Sequence, residues 1–347
     1  MMYLSNFQFR LQKTSNIADF RYRPSRTAGW FYYVFIRFKN YLRRTKISGL
    51  KNIKWIYLII LSIVWGSSFI LIKKALVGLS PLQVGSFRII FAALFLIFVG
   101  FRSLMKLNGK QWKWIVISGF LGSFFPVYFF AFAETEIDSA IASILNATTP
   151  LLTLLVGAAF FRAVVTQNKI TGVIIGLLGT LGLILSGASI NPDQNYFYSL
   201  LVIIATACYA VNVNILKTKM SDISPLGITA GNFFVLLFPA LLILYLSGFF
   251  ELKPITTKVE LSLVYVGILG VIGTGVAMII FNKLIQISDP VFTTSVTYTI
   301  PVVALGWGML DGEVFSFWQL VSAMVILLGV FIVNRSKNIL RRRKGTK

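Results

Sequence analysis

From Trp55 onward the chain is a succession of apolar runs, each of roughly twenty residues and separated from the next by a short polar break. A run of that length crosses roughly 30 Å of hydrocarbon as a helix, whereas a spanning strand needs only about ten residues of alternating polarity. The pattern therefore predicts an all-α, polytopic membrane protein with ten transmembrane helices. They fall near residues 55–75, 81–101, 112–132, 139–160, 169–187, 197–216, 225–247, 262–282, 290–309 and 317–334. Ser316 and Gln319 have the spacing of a capping box where the tenth helix should begin.

The pattern also repeats. Sliding residues 70–82 forward by 144 positions sets Lys73 on Lys217, Ser80 on Ser224, Pro81 on Pro225 and Leu82 on Leu226. Further along the offset becomes 151: Gly119, Gly122 and Ser123 fall on Gly270, Gly273 and Thr274, Asp138 on Asp289, and Pro150 on Pro301. One seven-residue insertion reconciles the two offsets, so the chain reads as a duplication. Each copy holds five helices, an odd number, so the second must enter the membrane from the opposite side. Two inverted five-helix repeats are an architecture of secondary transporters, in which a mid-membrane site opens alternately to either side. The expected organisation is a basic cytoplasmic extension at 1–54, repeats at 55–187 and 197–334, a linker at 188–196 and a basic cytoplasmic tail at 335–347.

Composition agrees with a bilayer: 56% of the 347 residues are hydrophobic and 13% charged. The formal charge of +22 raises nucleic acid as a partner, but its location argues otherwise. Residues 1–54 carry 12 Lys and Arg against one acid, Asp19, and residues 335–347 carry 7 with no acid. Basic tails flanking apolar spans face anionic lipid at the cytoplasmic surface, so the bilayer is the expected partner and nucleic acid is not. The first 50 residues are Arg-rich and acid-poor, a composition shared with organelle transit segments, and lack the apolar core of a signal peptide.

Between the spans, Arg102, Lys106, Lys110, Lys113, Arg162, Lys169, Lys217, Lys219 and Lys283 fall on one side, and Lys73, Lys74, Lys253 and Lys258 on the other. The richer side is cytoplasmic by the positive-inside rule, which puts both termini inside a plasma (inner) membrane. One cysteine, Cys208, and no histidine exclude disulfide frameworks, Cys or His metal clusters and histidine acid–base chemistry. With no Gly-x-x-x-x-Gly-Lys-Ser/Thr loop to power primary transport, any driving force is electrochemical or comes from the substrate.

Several marks in fixed order resemble the EamA-type transporters of the drug/metabolite transporter superfamily. They are Trp65-Gly66-Ser67-Ser68-Phe69 in the first helix, Arg88 seven residues after Pro81, small-residue runs ending at Pro150 and Pro301, and Gly312-Glu313 with Gly329 sixteen residues further on. The resemblance covers about residues 55–334 and implies a ten-helix carrier of small metabolites, often outward-directed, with no covalent cofactor. The first copy departs from the pattern, having Arg162-Ala163 where an acid is expected, and Glu313 is accordingly read as structural.

The candidate site is a central cavity lined by Trp65, Ser68, Arg88, Asn146, Tyr209, Asn212, Asn232 and Thr297, with Pro150 and Pro301 as hinges and a small polar metabolite such as an amino acid as substrate. Ser139, Ser143, Asn146 and Pro150 share one helix face, as do Pro290, Thr294, Thr297 and Pro301 in the second copy. Small hydroxyls on such a face equally serve close helix packing. Trp65 and Ser68 correspond to Tyr209 and Asn212, and Gly85 and Arg88 to Thr229 and Asn232. Arg88 lies about 10 Å along its helix from Pro81, where it either locks helices by bonding carbonyls or holds a substrate carboxylate or phosphate. Lys73 and Lys217 read as interface residues, and Asp138 and Asp289 as N-caps. Glu134 and Glu136 read either as solvated loop acids or as groups coupling transport to protons. A passive channel, or a membrane enzyme or scaffold, is the alternative; an enzyme would need a buried acid pair or a histidine, and neither is in the sequence pattern.

Overall fold

The computed structural model of the protein describes residues 53–161, 167–190, 195–251, 256–288, 293–294, 296–313 and 315–335. The extension up to residue 52, the tail beyond Arg335, the middle of the linker, Arg162, Ala163, Asp289 and Pro290 lie outside the described residues.

The described residues are helical, with no strand among them. The helices are α1 (Ile53–Ala75), α2 (Pro81–Leu104), α3 (Gly109–Ala133), α4 (Ser139–Phe160), α5 (Gln167–Ile190), α6 (Ser199–Lys219), α7 (Pro225–Leu246), α8 (Thr257–Ile287), α9 (Val296–Leu310) and α10 (Phe317–Arg335). Among the described residues, seven helical stretches are long and apolar enough to cross a membrane, and α5, α9 and α10 add the shorter apolar stretches Ile170–Leu183, Val296–Leu310 and Phe317–Gly329.

Helix starts follow local chemistry. Pro81 and Pro225, whose missing N–H costs nothing in a first turn, each follow a serine that caps the helix. The box at the start of α10 forms as its spacing predicts: Ser316 N donates to Gln319 Oε1 (2.9 Å) and Gln319 N to Ser316 Oγ (3.0 Å). Large apolar side chains such as Phe98, Phe160, Leu185, Leu246 and Leu310 stay exposed on the outside of the bundle. In water that surface would be an aggregation hazard; in a bilayer it is the lipid-facing coat.

The packing pairs like with like. α2 lies along α7, and α5 along α10. In the second pair a Cβ on Gly329 would come within 2.5 Å of the Gly176 backbone N, so only glycine permits the approach. α6 packs on α3 and α4, α9 on α4, and α2 on the middle of α8. Two helices widen into π turns, α3 at Phe120–Phe124 and α8 at Leu269–Val276. α4 is interrupted at Ala147 and Thr148, just before Pro150. Proline removes an amide donor, and the Asn146 carbonyl, one turn back, instead accepts from the Thr149 hydroxyl (2.6 Å).

Candidate functional site

A cavity of about 100 Å³ lies in the interior, lined by side chains of α1, α2, α3, α4, α6, α8 and α9. Of the residues picked from the sequence, Trp65, Ser68, Arg88, Asn146, Tyr209, Asn212 and Thr297 line it. Asn232 does not. Its face of α7 turns toward α3, and with the amide assigned so that both ends find partners its nitrogen donates to the Ile115 and Ile228 carbonyls (3.0 and 3.1 Å) and its oxygen accepts from Ser118 (3.2 Å). Pro150 and Pro301 stand in α4 and α9, beside Thr149 and Ile300, which line the cavity.

The π turns shape the walls. Widening α8 leaves the Gly273 carbonyl to accept from Trp65 Nε1 (3.0 Å), which fixes the indole at the cavity edge. Thr274 in the same turn accepts from Arg88 Nε (2.8 Å), its own hydroxyl donating to the Leu269 carbonyl (3.0 Å). That is a single neutral contact for a guanidinium with five donors, and no carboxylate pairs with Arg88 among the described residues. Tyr209 stacks near Phe130 (centroids 6.3 Å apart), and Trp65 leans on Phe281 (5.0 Å). The cavity thus combines one cation, two amides, hydroxyls and aromatic faces.

The contacts across the cavity recur in pairs. A Cβ on Gly122 would fall 2.1 Å from Asn212 Nδ2, and one on Gly273 would fall 3.0 Å from Ser68 Oγ. Gly119 likewise abuts the Asn232 backbone, as Gly270 abuts that of Arg88. These are the positions matched by the two sequence offsets, with the partners exchanged. Thr274, Ser123, Gly122 and Gly273 were not picked as site residues from the sequence, although all four line the cavity and all four belong to that repeat match.

The profile of the EamA-like transporter family matches residues 53–185 and again 197–335. The chain belongs to the EamA-like transporter family. Three curated relatives match over most of their length. The "uncharacterized transporter" of Archaeoglobus fulgidus is 27% identical over 301 residues, 82% of this chain and 99% of that one. The inner membrane transporter YedA of Escherichia coli is 26% identical over 287 residues, covering 80% of this chain and 89% of YedA. The S-adenosylmethionine/S-adenosylhomocysteine transporter of Chlamydia muridarum is 26% identical over 290 residues, covering 80% and 91%. A protein of known crystal structure superposes with a TM-score of 0.57 at 16% identity, over 85% of this chain and 98% of its own, which shows a shared fold. The protein is a membrane transporter.

At one end of this EamA-like bundle the two halves are tied by charge. Lys73, near the end of α1, bonds Glu313 (2.8 Å) and Asp311 (3.1 Å), and Lys74 bonds Asp311. The Glu313 side chain is buried and also accepts from Ser139 N (3.2 Å), Ser139 Oγ (2.7 Å) and Ala140 N (3.3 Å). Asp138 holds the N-cap position of α4 but makes no cap bond with its side chain; a carboxylate from the other half takes the first-turn amides instead. Lys73 is therefore an ion-pair residue rather than a lone interface lysine. Its partners lie some 240 positions away in the chain, out of reach of local reading. Lys217, its repeat counterpart, meets among the described residues the Ile285 and Ser288 carbonyls at the end of α8 (3.3 and 3.1 Å). The Lys74 hydrogen bond is the strongest influence on Asp311; it outweighs partial burial and, helped by Lys73, holds the carboxyl below the usual aspartate value. Glu134, just past the end of α3, is 7% exposed, a buried acid rather than a solvated one.

Proposed function

We propose that the protein is a secondary carrier that moves a small polar metabolite bearing a carboxylate or phosphate, an amino acid in the first instance, across the plasma membrane by alternating access. The observation that carries this reading is Arg88. A cation held inside a transmembrane bundle with one neutral hydrogen bond is costly unless an anion arrives to complete its shell, and the fork geometry of a guanidinium suits a carboxylate or phosphate. Aromatic faces at Trp65, Tyr209 and Phe281 suit a planar or methylene portion beside that anion. The Chlamydia muridarum relative is named for a substrate pair that joins an amino-acid end to a purine, which is compatible with such a lining. A cavity of about 100 Å³ is small against the several hundred that enclose larger ligands, so a substrate of that size would need the bundle to open.

In this reading all ten helices cross the membrane, both termini are cytoplasmic, and the repeats at 55–187 and 197–334 are inverted. The exchanged contacts at Gly122–Asn212 and Gly273–Ser68, the like-with-like pairs α2–α7 and α5–α10, and the π turns in α3 and α8 support a two-fold relation between the halves, and the odd helix count of each repeat sets its axis in the membrane plane in this reading. Pro150 and Pro301 are the hinges. The test is counterflow of radiolabelled amino acids into proteoliposomes of the purified protein. Saturable counterflow, lost in Arg88→Ala with the protein still folded, is the expected result; flux that does not saturate, or that survives Arg88→Ala, would overturn the assignment.

A further inference from the structure

Glu134 is more than nine-tenths buried, and both of its carboxylate oxygens lack a hydrogen-bond partner among the described residues. The Glu313 side chain, equally buried, has a lysine and three α4 donors. An ionised carboxylate with none would be strongly disfavoured there, and a neutral acid much less so. Glu134 also sits at the C-terminal end of α3, where the helix dipole opposes negative charge.

The charged groups that bear on it are Arg88 on α2, Lys73 on α1 and Glu313 in the α9–α10 link. Two of these belong to the ionic tie at the end of the bundle, and the third is the cavity cation. Glu134 is therefore within electrostatic reach of both the cavity cation and the tie.

We infer that Glu134 is a proton-binding site that couples substrate binding at Arg88 to proton movement, in the same direction. The inference rests on the reading of Arg88 as the substrate's counter-ion. When Glu134 is ionised, its negative charge draws on Arg88 and repels an incoming substrate anion, and it also repels Glu313 in the tie. When an O–H bond forms with a proton taken from water, that repulsion is gone and the charge of Arg88 is available to the substrate. Linkage then requires that each ligand raise the affinity for the other. On the far side the O–H bond breaks, the proton returns to water and the substrate is expelled. Burial, followed by the nearby Glu313, raises the Glu134 carboxyl well above its ordinary value against the pull of Arg88 and Lys73, in keeping with a protonated resting state. The repeat counterpart of Glu134 is Ile285, so the proton site has no twin in the second half.

Two measurements test this. Infrared difference spectroscopy of the purified protein at neutral pH, wild type against Glu134→Gln, reads the proton without any substrate. A protonated-carboxyl band present in the wild type and missing from the isosteric variant is expected; identical spectra would overturn the proposal. In proteoliposomes an imposed gradient, acidic on the side of substrate entry, should accelerate wild-type amino-acid uptake several-fold. Glu134→Gln should lose that acceleration, whereas Glu136→Gln should keep it. Unchanged acceleration in Glu134→Gln would overturn the proton site and leave the carrier reading intact. Absence of any wild-type counterflow would count against amino acids as substrates, with the infrared result still deciding whether Glu134 holds a proton.

Discussion

Glu313 offers the most quantitative test of the structure. Its buried carboxylate, 1% exposed, does two jobs: it caps the first turn of α4 through Ser139 N and Ala140 N, and it pairs with Lys73. Losing an N-cap costs about 0.5–2 kcal/mol. The Ser139 hydroxyl bond to a charged acceptor adds about 1.5–3 kcal/mol, and since all of these share one carboxylate they do not sum fully. The Lys73 side chain is 32% exposed, so its pair is screened and contributes about 0.5–1 kcal/mol. Glu313→Ala should therefore destabilise by about 3 kcal/mol, and Lys73→Ala by about 1 kcal/mol, because in the lysine variant Glu313 keeps its α4 donors. Cys208, the only cysteine in the chain and partly buried in α6, supplies the assay: maleimide labelling of its thiol during thermal unfolding. Equal losses for the two variants would refute the cap from the opposite half, leaving only an ion pair.

Other consequences are independent of this one. Asp311, held below its ordinary value of 3.8, contributes stability that is fully present above that pH and lost as pH falls through its depressed value; Asp311→Asn should flatten that acid limb in pH-dependent thermal unfolding. Glu134 has the opposite sign: its folded carboxyl keeps a proton that the unfolded one gives up near 4.5, so stability falls as pH rises above that value, and Glu134→Gln should remove the slope. Gly122→Ala puts a methyl group 2.1 Å from Asn212 Nδ2, a clash expected to cost about 1–3 kcal/mol and to reduce counterflow by displacing the cavity amide. Asn232→Ala should lower the unfolding temperature and leave substrate affinity unchanged in counterflow titrations, since that amide serves α3 and α7 rather than the cavity.

The apolar period and the two repeat offsets were enough to place the helices and to bring seven distant residues to one cavity, because run length and helical spacing are local properties of the chain. What escaped is relational. Asn232 shares its register with Arg88, but a register does not say whether equivalent positions in two halves face the same space; the Asn232 amide finds its partners on α3. Asp138 is the right residue in the right place for a cap, yet Glu313 reaches the amides from 174 and 173 positions away, and no local pattern encodes that competition. Glu134 reads as a loop acid because it follows an apolar run, and its burial depends on how α3 ends against other helices. Thr274 was within reach: it aligns with Ser123 in the repeat, and a hydroxyl beside a glycine in both halves marks the two π turns, of which the one in α8 supports Arg88 and Trp65.

A site between two halves, reached alternately from each side, should reveal itself in thiol labelling of Thr297→Cys in a Cys208→Ser background, with an impermeant maleimide applied to either face of oriented vesicles. Thr297 lines the cavity, and the tie at Lys73, Asp311 and Glu313 closes it toward the outside in this account. Labelling should occur from both faces, and adding Glu313→Ala should raise the external rate while lowering the internal one. Rates that rise together on both faces, or labelling confined to one face whatever the state of Glu313, would contradict alternating access.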